Sequence, residues 1–175
     1  MQHVNVKIFA TKSDINLVDA IAVFHKWIQE SAMPEILIDV ADYKHVPDGP
    51  GIMLIGHEAD YSLDETDGRL GLLYNRKTAV EGDWQEALGQ AYNSALRAAK
   101  VLEETPVFAG KLKFADNELE VILNDRLLFP NTEETRSKVL PEVDAFFANL
   151  YGAGSFKLER RGEVRDRIRI GVVRG

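Results

Sequence analysis

Ile36-Leu37-Ile38-Asp39-Val40 and Ile52-Met53-Leu54-Ile55-Gly56 are two apolar runs joined through Val46-Pro47-Asp48-Gly49-Pro50-Gly51. Proline fixes φ and glycine admits positive φ, so a connection with two of each reverses the chain. The stretch reads as a hairpin. Pairing it about its turn places Val46 opposite Ile52, Tyr43 opposite Ile55, Ala41 opposite His57 and Asp39 opposite Ala59. Side chains alternate along a strand. One face then carries Ile36, Ile38, Val40, Ile52 and Leu54, the expected helix-covered side. The other carries Leu37, Asp39, Ala41, Tyr43, His45, Met53, Ile55 and His57, a mixture suited to a pocket wall or a subunit interface.

Upstream, Val4 to Ala10 alternates as a strand, and Ser13-Asp14 offers a cap for a helix from Ile15 to Glu30. Leu17, Ile21, Phe24 and Ile28 form one apolar stripe of that helix, with Ala20, Val23 and Trp27 beside it. An arc this broad predicts contact with more than one partner surface. Downstream, Ser62 to Gly68 reads as a loop and Arg69 to Tyr74 as a strand. Asp83 with Glu86 forms a capping-box pattern opening a long, alanine-rich helix. Lys111 to Ala115 and Glu118 to Asn124 read as a hairpin across Asp116-Asn117. Asn131 and Thr132 open a third helix, in which Pro141 predicts a kink or restart. Ser155 to Arg160 and Val164 to Val173 close the chain as a last hairpin.

The order β-α-β-β-β-α-β-β-α-β-β predicts an α+β fold: a mainly antiparallel, twisted mixed sheet with about three helices packed on it. It would form a two-layer sandwich in one domain spanning residues 1–175, with a βαββ layout repeated near its two ends.

Composition narrows the function classes. With 45% hydrophobic and 28% charged residues the chain is an ordinary globular one. Its lack of cysteine removes thiolate nucleophiles and Cys-based metal sites. Met1 to Lys7 has no basic region followed by an apolar one, so no secretory signal is expected. With no apolar run of about 18 residues either, the expectation is a cytoplasmic protein with no membrane partner. A net charge of −7 weighs against nucleic acid as a partner, because phosphate neutralisation supplies that affinity.

No metal or cofactor is expected. His45, His57, Glu58 and Asp60 resemble a ligand set, but the register separates the two histidines and turns the acids to the opposite face. Asp39 and His57 are diagonal neighbours and form the candidate catalytic pair, a carboxylate orienting a general base. Tyr43, His45 and Met53 are candidate ligand contacts on the same face. Arg165, Arg167 and Arg169 point one way along the last strand, where a row of guanidiniums could hold an anion or RNA backbone. The leading expectation is a non-catalytic module that self-associates, with a dimer favoured, or binds a small molecule. The alternatives are a small hydrolase or isomerase using His57 and Asp39, and anion or RNA binding through the last strand.

Overall fold

The computed structural model describes residues 3–175; Met1 and Gln2, part of the amino-terminal stretch read for a signal, lie outside it. Eight strands are β1 (Val4–Ser13), β2 (Leu37–Asp42), β3 (Ile52–Gly56), β4 (Ala59–Asp64), β5 (Gly71–Arg76), β6 (Leu112–Leu123), β7 (Phe156–Arg161) and β8 (Arg169–Arg174). Three helices are α1 (Asp19–Glu30), α2 (Trp84–Glu104) and α3 (Glu133–Tyr151). The strands form one open sheet in the order β2-β3-β4-β5-β1-β6-β8-β7, and every neighbouring pair is antiparallel. The fold class is α+β.

Alternation in the sequence sets the layers. Val4, Val6 and Ile8 of β1 join Tyr61, Leu63, Leu72, Tyr74, Val121 and Ile170 beneath the helices. The apolar arc of α1 is spent on this core: Ala20, Val23, Phe24 and Trp27 are buried. Helix α2 begins at the Asp83–Glu86 capping box and lays Ala87, Ala91, Ala95, Ala98 and Ala99 against the sheet. Small side chains allow that close approach. Helix α3 starts at Thr132, whose hydroxyl accepts from Thr135 N–H, and runs through Pro141 as one element. The βαββ order recurs as β1-α1-β2-β3 and β6-α3-β7-β8. β1 and β6 are adjacent near the middle of the sheet, and each copy sends its hairpin to an edge.

The structure corrects several sequence readings. Eight strands and three helices are present, but one strand has moved. Ser62 does not open a loop: it belongs to β4, where Ala59, Tyr61 and Leu63 alternate with Asp60, Ser62 and Asp64. The acidic side chains that masked this strand have partners, Lys77 for Asp60 and Lys7 for Asp64. Conversely, Asp116-Asn117 is no turn. β6 continues through it, and register shifts against β1 near Ala10 absorb the irregularity. Ser13 ends β1 and does not cap α1, whose N-cap, Val18, offers no side chain to the task.

The opening hairpin pairs four residues away from its expected register. Asp42 faces Ile52, Val40 faces Leu54 and Asp39 faces Ile55, with a bulge between Leu37 and Asp39. A bulge inserts one residue and so reverses the side-chain alternation beyond it. Leu37 and Val40 pack on the core, whereas Ile36 and Ile38, expected inside, are 64% and 57% exposed on the sheet edge.

Candidate functional site

The helices cover one face of the sheet; the other is predominantly polar. Ladder pairing aligns its side chains in rows that cross the strands. Asp60, Asn75, Asn5, Ile122 and Arg169 form one row across β4, β5, β1, β6 and β8. Ser62, Leu73, Lys7, Glu120 and Gly171 form the next, and Asp64 with Gly71 begins a third. No sheet face exposed only to water needs buried charges. Yet Asn5, Lys7, Asp64 and Glu120 are all within 3% of complete burial.

Their partners shield them. Lys7 Nζ donates to Asp64 Oδ1 at 2.5 Å and to the Thr66 carbonyl at 3.3 Å. Thr66 returns its hydroxyl to Asp64 Oδ2 at 2.9 Å and its N–H to Oδ1 at 3.2 Å. Gly71 makes the Lys7 crossing feasible, since a Cβ there would stand 2.8 Å from Lys7 Cε. Arg169 grips Glu120 Oε2 through Nε at 3.0 Å and Nη2 at 2.8 Å, and reaches Asp67 with Nη1 at 2.5 Å. Burial works against the Arg169 charge, but these two carboxylates outweigh it and raise its pKa. Glu120 Oε1 has no protein donor, nor has either amide atom of Asn5. An unpaired buried polar atom costs about 1–3 kcal/mol, so each such atom calls for a partner from outside the chain, a water or a ligand.

Between these side chains lies a cleft of about 280 Å³, lined by Lys7, Asp64, Leu73, Glu120, Ile122, Arg126, Arg167 and Arg169, with Thr66, Asp67 and Asp166 at its margin. Four basic and four acidic side chains meet there, but they are not all matched. Arg167 donates to Asn124 Oδ1 at 2.6 Å, and Arg126 to the Arg165 carbonyl at 2.6 Å; neither has a carboxylate within 4 Å among the described residues. Burial, reinforced by the neighbouring Arg169 and Arg126 charges and opposed by the fields of Asp64 and Glu120, lowers the Arg167 pKa. An anion would relieve that cost. Guanidinium is the side chain best suited to hold carboxylate or phosphate through two parallel hydrogen bonds.

The proline- and glycine-rich connection supports this site from behind. The Gly49 carbonyl accepts from Glu65 N–H, and the Asp48 carbonyl lies 3.4 Å from the Thr66 hydroxyl, whose proton is directed to the nearer Asp64. Gly51 adopts φ of +60°, and a Cβ there would lie 2.1 Å from the Leu63 carbonyl oxygen. Only glycine meets both demands. The connection thereby holds Thr66 where it touches Lys7 and Asp64.

Arg167 and Arg169 of the sequence-derived set line this cleft together. Arg165 does not: it is exposed and pairs with Glu163 at 3.0 Å. The three do not form one row, because Arg165 and Arg167 precede β8. Met53 lies on the same helix-free face, opposite Ser62, with two strands between it and β1. Tyr43 and His45 sit in the exposed connection with ring centroids 6.3 Å apart. Asp39 and His57 are both exposed and share no hydrogen bond. Asp39 accepts from Val40 N–H at 2.8 Å, and His57 lies 3.5 Å from Glu58. β3 ends at Gly56; His57 gives its backbone N–H to the Ile36 carbonyl at 2.7 Å, and its imidazole lies against Glu58 and not Asp39.

A second polar cluster, missed in the sequence, lies under the helices. Glu35 accepts from Tyr61 Oη at 2.6 Å, Tyr74 Oη at 3.0 Å, and Gln90 Nε2 and Ser94 Oγ at 3.3 Å each. Burial, then the Glu35 carboxylate, drives the Tyr61 pKa far upward; burial also raises that of Tyr74, with Gln90 opposing. The four donors make this a satisfied carboxylate that ties the link between α1 and β2 to α2. Glu35, immediately after Pro34, carried no periodic signal that could reveal it. Lys7 and Glu120 were visible only as polar positions in alternating strands.

Comparison of the chain with protein-family models, curated protein sequences and solved structures finds no match.

Proposed function

We propose that this protein is a non-catalytic binding module that takes a small anionic ligand in the cleft on the helix-free face. The observation that carries this reading is Arg167, a largely buried guanidinium that points into a cleft with no carboxylate partner. Arg126 adds a second unpaired positive charge at the same margin. The volume, about 280 Å³, lies just below the ~300–1,000 Å³ usual for drug-sized ligands and suits a small metabolite. Isothermal titration with inorganic phosphate and with short carboxylates tests the reading. Arg167→Gln should weaken binding by roughly tenfold or more, the worth of one charge-assisted hydrogen bond. Lys157→Gln, on the edge strand β7, should leave it unchanged. Undiminished binding in the Arg167 variant would remove this reading.

Self-association is a second reading, favoured by the edge strand β2. Its outer backbone groups have no neighbouring strand, and Ile36 and Ile38 are exposed beside them. The opposite edge, β7, carries Lys157, Glu159, Arg160 and Arg161, the charged pattern that blocks edge pairing. Sedimentation across a concentration range tests it, and a strict monomer would end it.

A further inference from the structure

We infer that the ligand of this cleft is amphoteric: beside its anionic group it carries a hydrogen-bond donor, an ammonium or hydroxyl, that Glu120 Oε1 accepts. This inference rests on the anion-binding reading and specifies the substrate class for the same cleft.

Arg167 and Glu120 present opposite demands within one enclosure. Arg167 lacks a carboxylate. Glu120 lacks a donor on one oxygen: Arg169 occupies Oε2 with two hydrogen bonds and leaves Oε1 without a protein partner, although the side chain is completely buried and lines the cleft. The cations nearby are committed elsewhere. Lys7 faces Glu120 across the β1–β6 ladder, yet its ammonium has crossed over Gly71 to Asp64 and the Thr66 carbonyl. Arg169 divides its guanidinium between Glu120 and Asp67, so two carboxylates share one positive charge. The surplus is therefore negative at Glu120 and positive at Arg167.

A simple anion without a donor, such as propionate, satisfies Arg167 and is repelled by Glu120. A molecule with an anionic end and an adjacent donor satisfies both. α-Amino acids and α-hydroxy acids are the smallest members of that class, and they fit the cleft's volume.

Three probes of one skeleton test the inference by isothermal titration: propionate, lactate and alanine. They differ only in carrying hydrogen, hydroxyl or ammonium beside the carboxylate. The expected result is that alanine or lactate binds at least tenfold more tightly than propionate, and that Glu120→Gln reduces this preference and raises propionate affinity, because the repelling carboxylate is gone. Equal affinity for all three would overturn the inference and leave the anion-binding reading standing. Absence of binding by all three and by inorganic phosphate would overturn both. The comparison among probes uses the unaltered protein, so it decides the matter even where Glu120→Gln fails to fold.

Discussion

Lys7 Nζ and Asp64 Oδ1 meet at 2.5 Å although 57 residues separate them in the chain, and both side chains are almost fully buried on a sheet face that carries no helix. A buried ion pair recovers its desolvation cost only with good geometry and further hydrogen bonds. Thr66 supplies those bonds here, giving Asp64 its N–H and hydroxyl and giving Lys7 its carbonyl.

Breaking that pair from one side should be costly. Lys7→Met or Asp64→Leu is expected to lower unfolding free energy by about 3–5 kcal/mol, because each leaves a buried charge without its partner. Replacing both, as Lys7→Met with Asp64→Leu, should recover most of the loss. Urea denaturation of the four proteins measures the coupling directly.

Glu118 accepts from Arg69 at 2.9 Å through both carboxylate oxygens and from Arg161 at 2.7 Å. Arg69 chiefly, opposed by partial burial and helped by Arg161, holds its pKa down at about 2, below the ordinary 4.5. The folded state thus binds this proton less readily than the unfolded chain. The resulting stability is complete above about pH 4.5 and fades as pH falls toward 2. Glu118→Gln should be less stable than the parent at pH 7, and the difference should shrink across that interval. Melting temperatures from pH 7 to pH 2 would show it.

Gly51→Ala should destabilise the fold through both its backbone and its new side chain. The new Cβ would meet the Leu63 carbonyl at 2.1 Å, and the residue would also hold φ of +60°. A cost of about 1–3 kcal/mol is expected from the backbone strain and overlap together. Gly68→Ala is the control: φ is +65° there, but nothing lies within 4 Å, so only the smaller conformational penalty applies. Thermal unfolding of both variants separates the two contributions.

Tyr61→Phe removes the shortest hydrogen bond to Glu35 and leaves three donors, Tyr74, Gln90 and Ser94. A loss of about 1–3 kcal/mol is expected, the usual cost of depriving a buried acceptor of one donor. Glu35→Gln should cost at least as much, since an amide cannot accept from all four. Chemical denaturation followed by tryptophan fluorescence reads both, because Trp27 packs edge-on against Tyr61 at 6.5 Å.

Much of the architecture was legible because periodicity reports it. Val4, Val6 and Ile8 alternate, and the alanines of α2 recur at helical spacing, so the first strand and the long helix announce themselves. The capping box at Asp83 and Glu86 did the same for a helix start. β4 was hidden because Asp60 and Asp64 look like solvated loop residues until Lys77 and Lys7 stand against them. The site was legible only as two arginines. Arg167 and Arg169 were visible in the last strand region, but the groups that complete the cleft, Lys7, Asp64 and Glu120, come from three other strands.

The amino-acid sequence by itself determined the α+β class, the first strand and the three helices, because side-chain periodicity is a local property of the chain. Tertiary structure alone decided the hairpin register, the exposure of Ile36 and Ile38, and the cleft. A single-residue bulge reverses alternation without marking the composition around it. A charge placed in a strand acquires a role only from the partners that ladder pairing sets beside it.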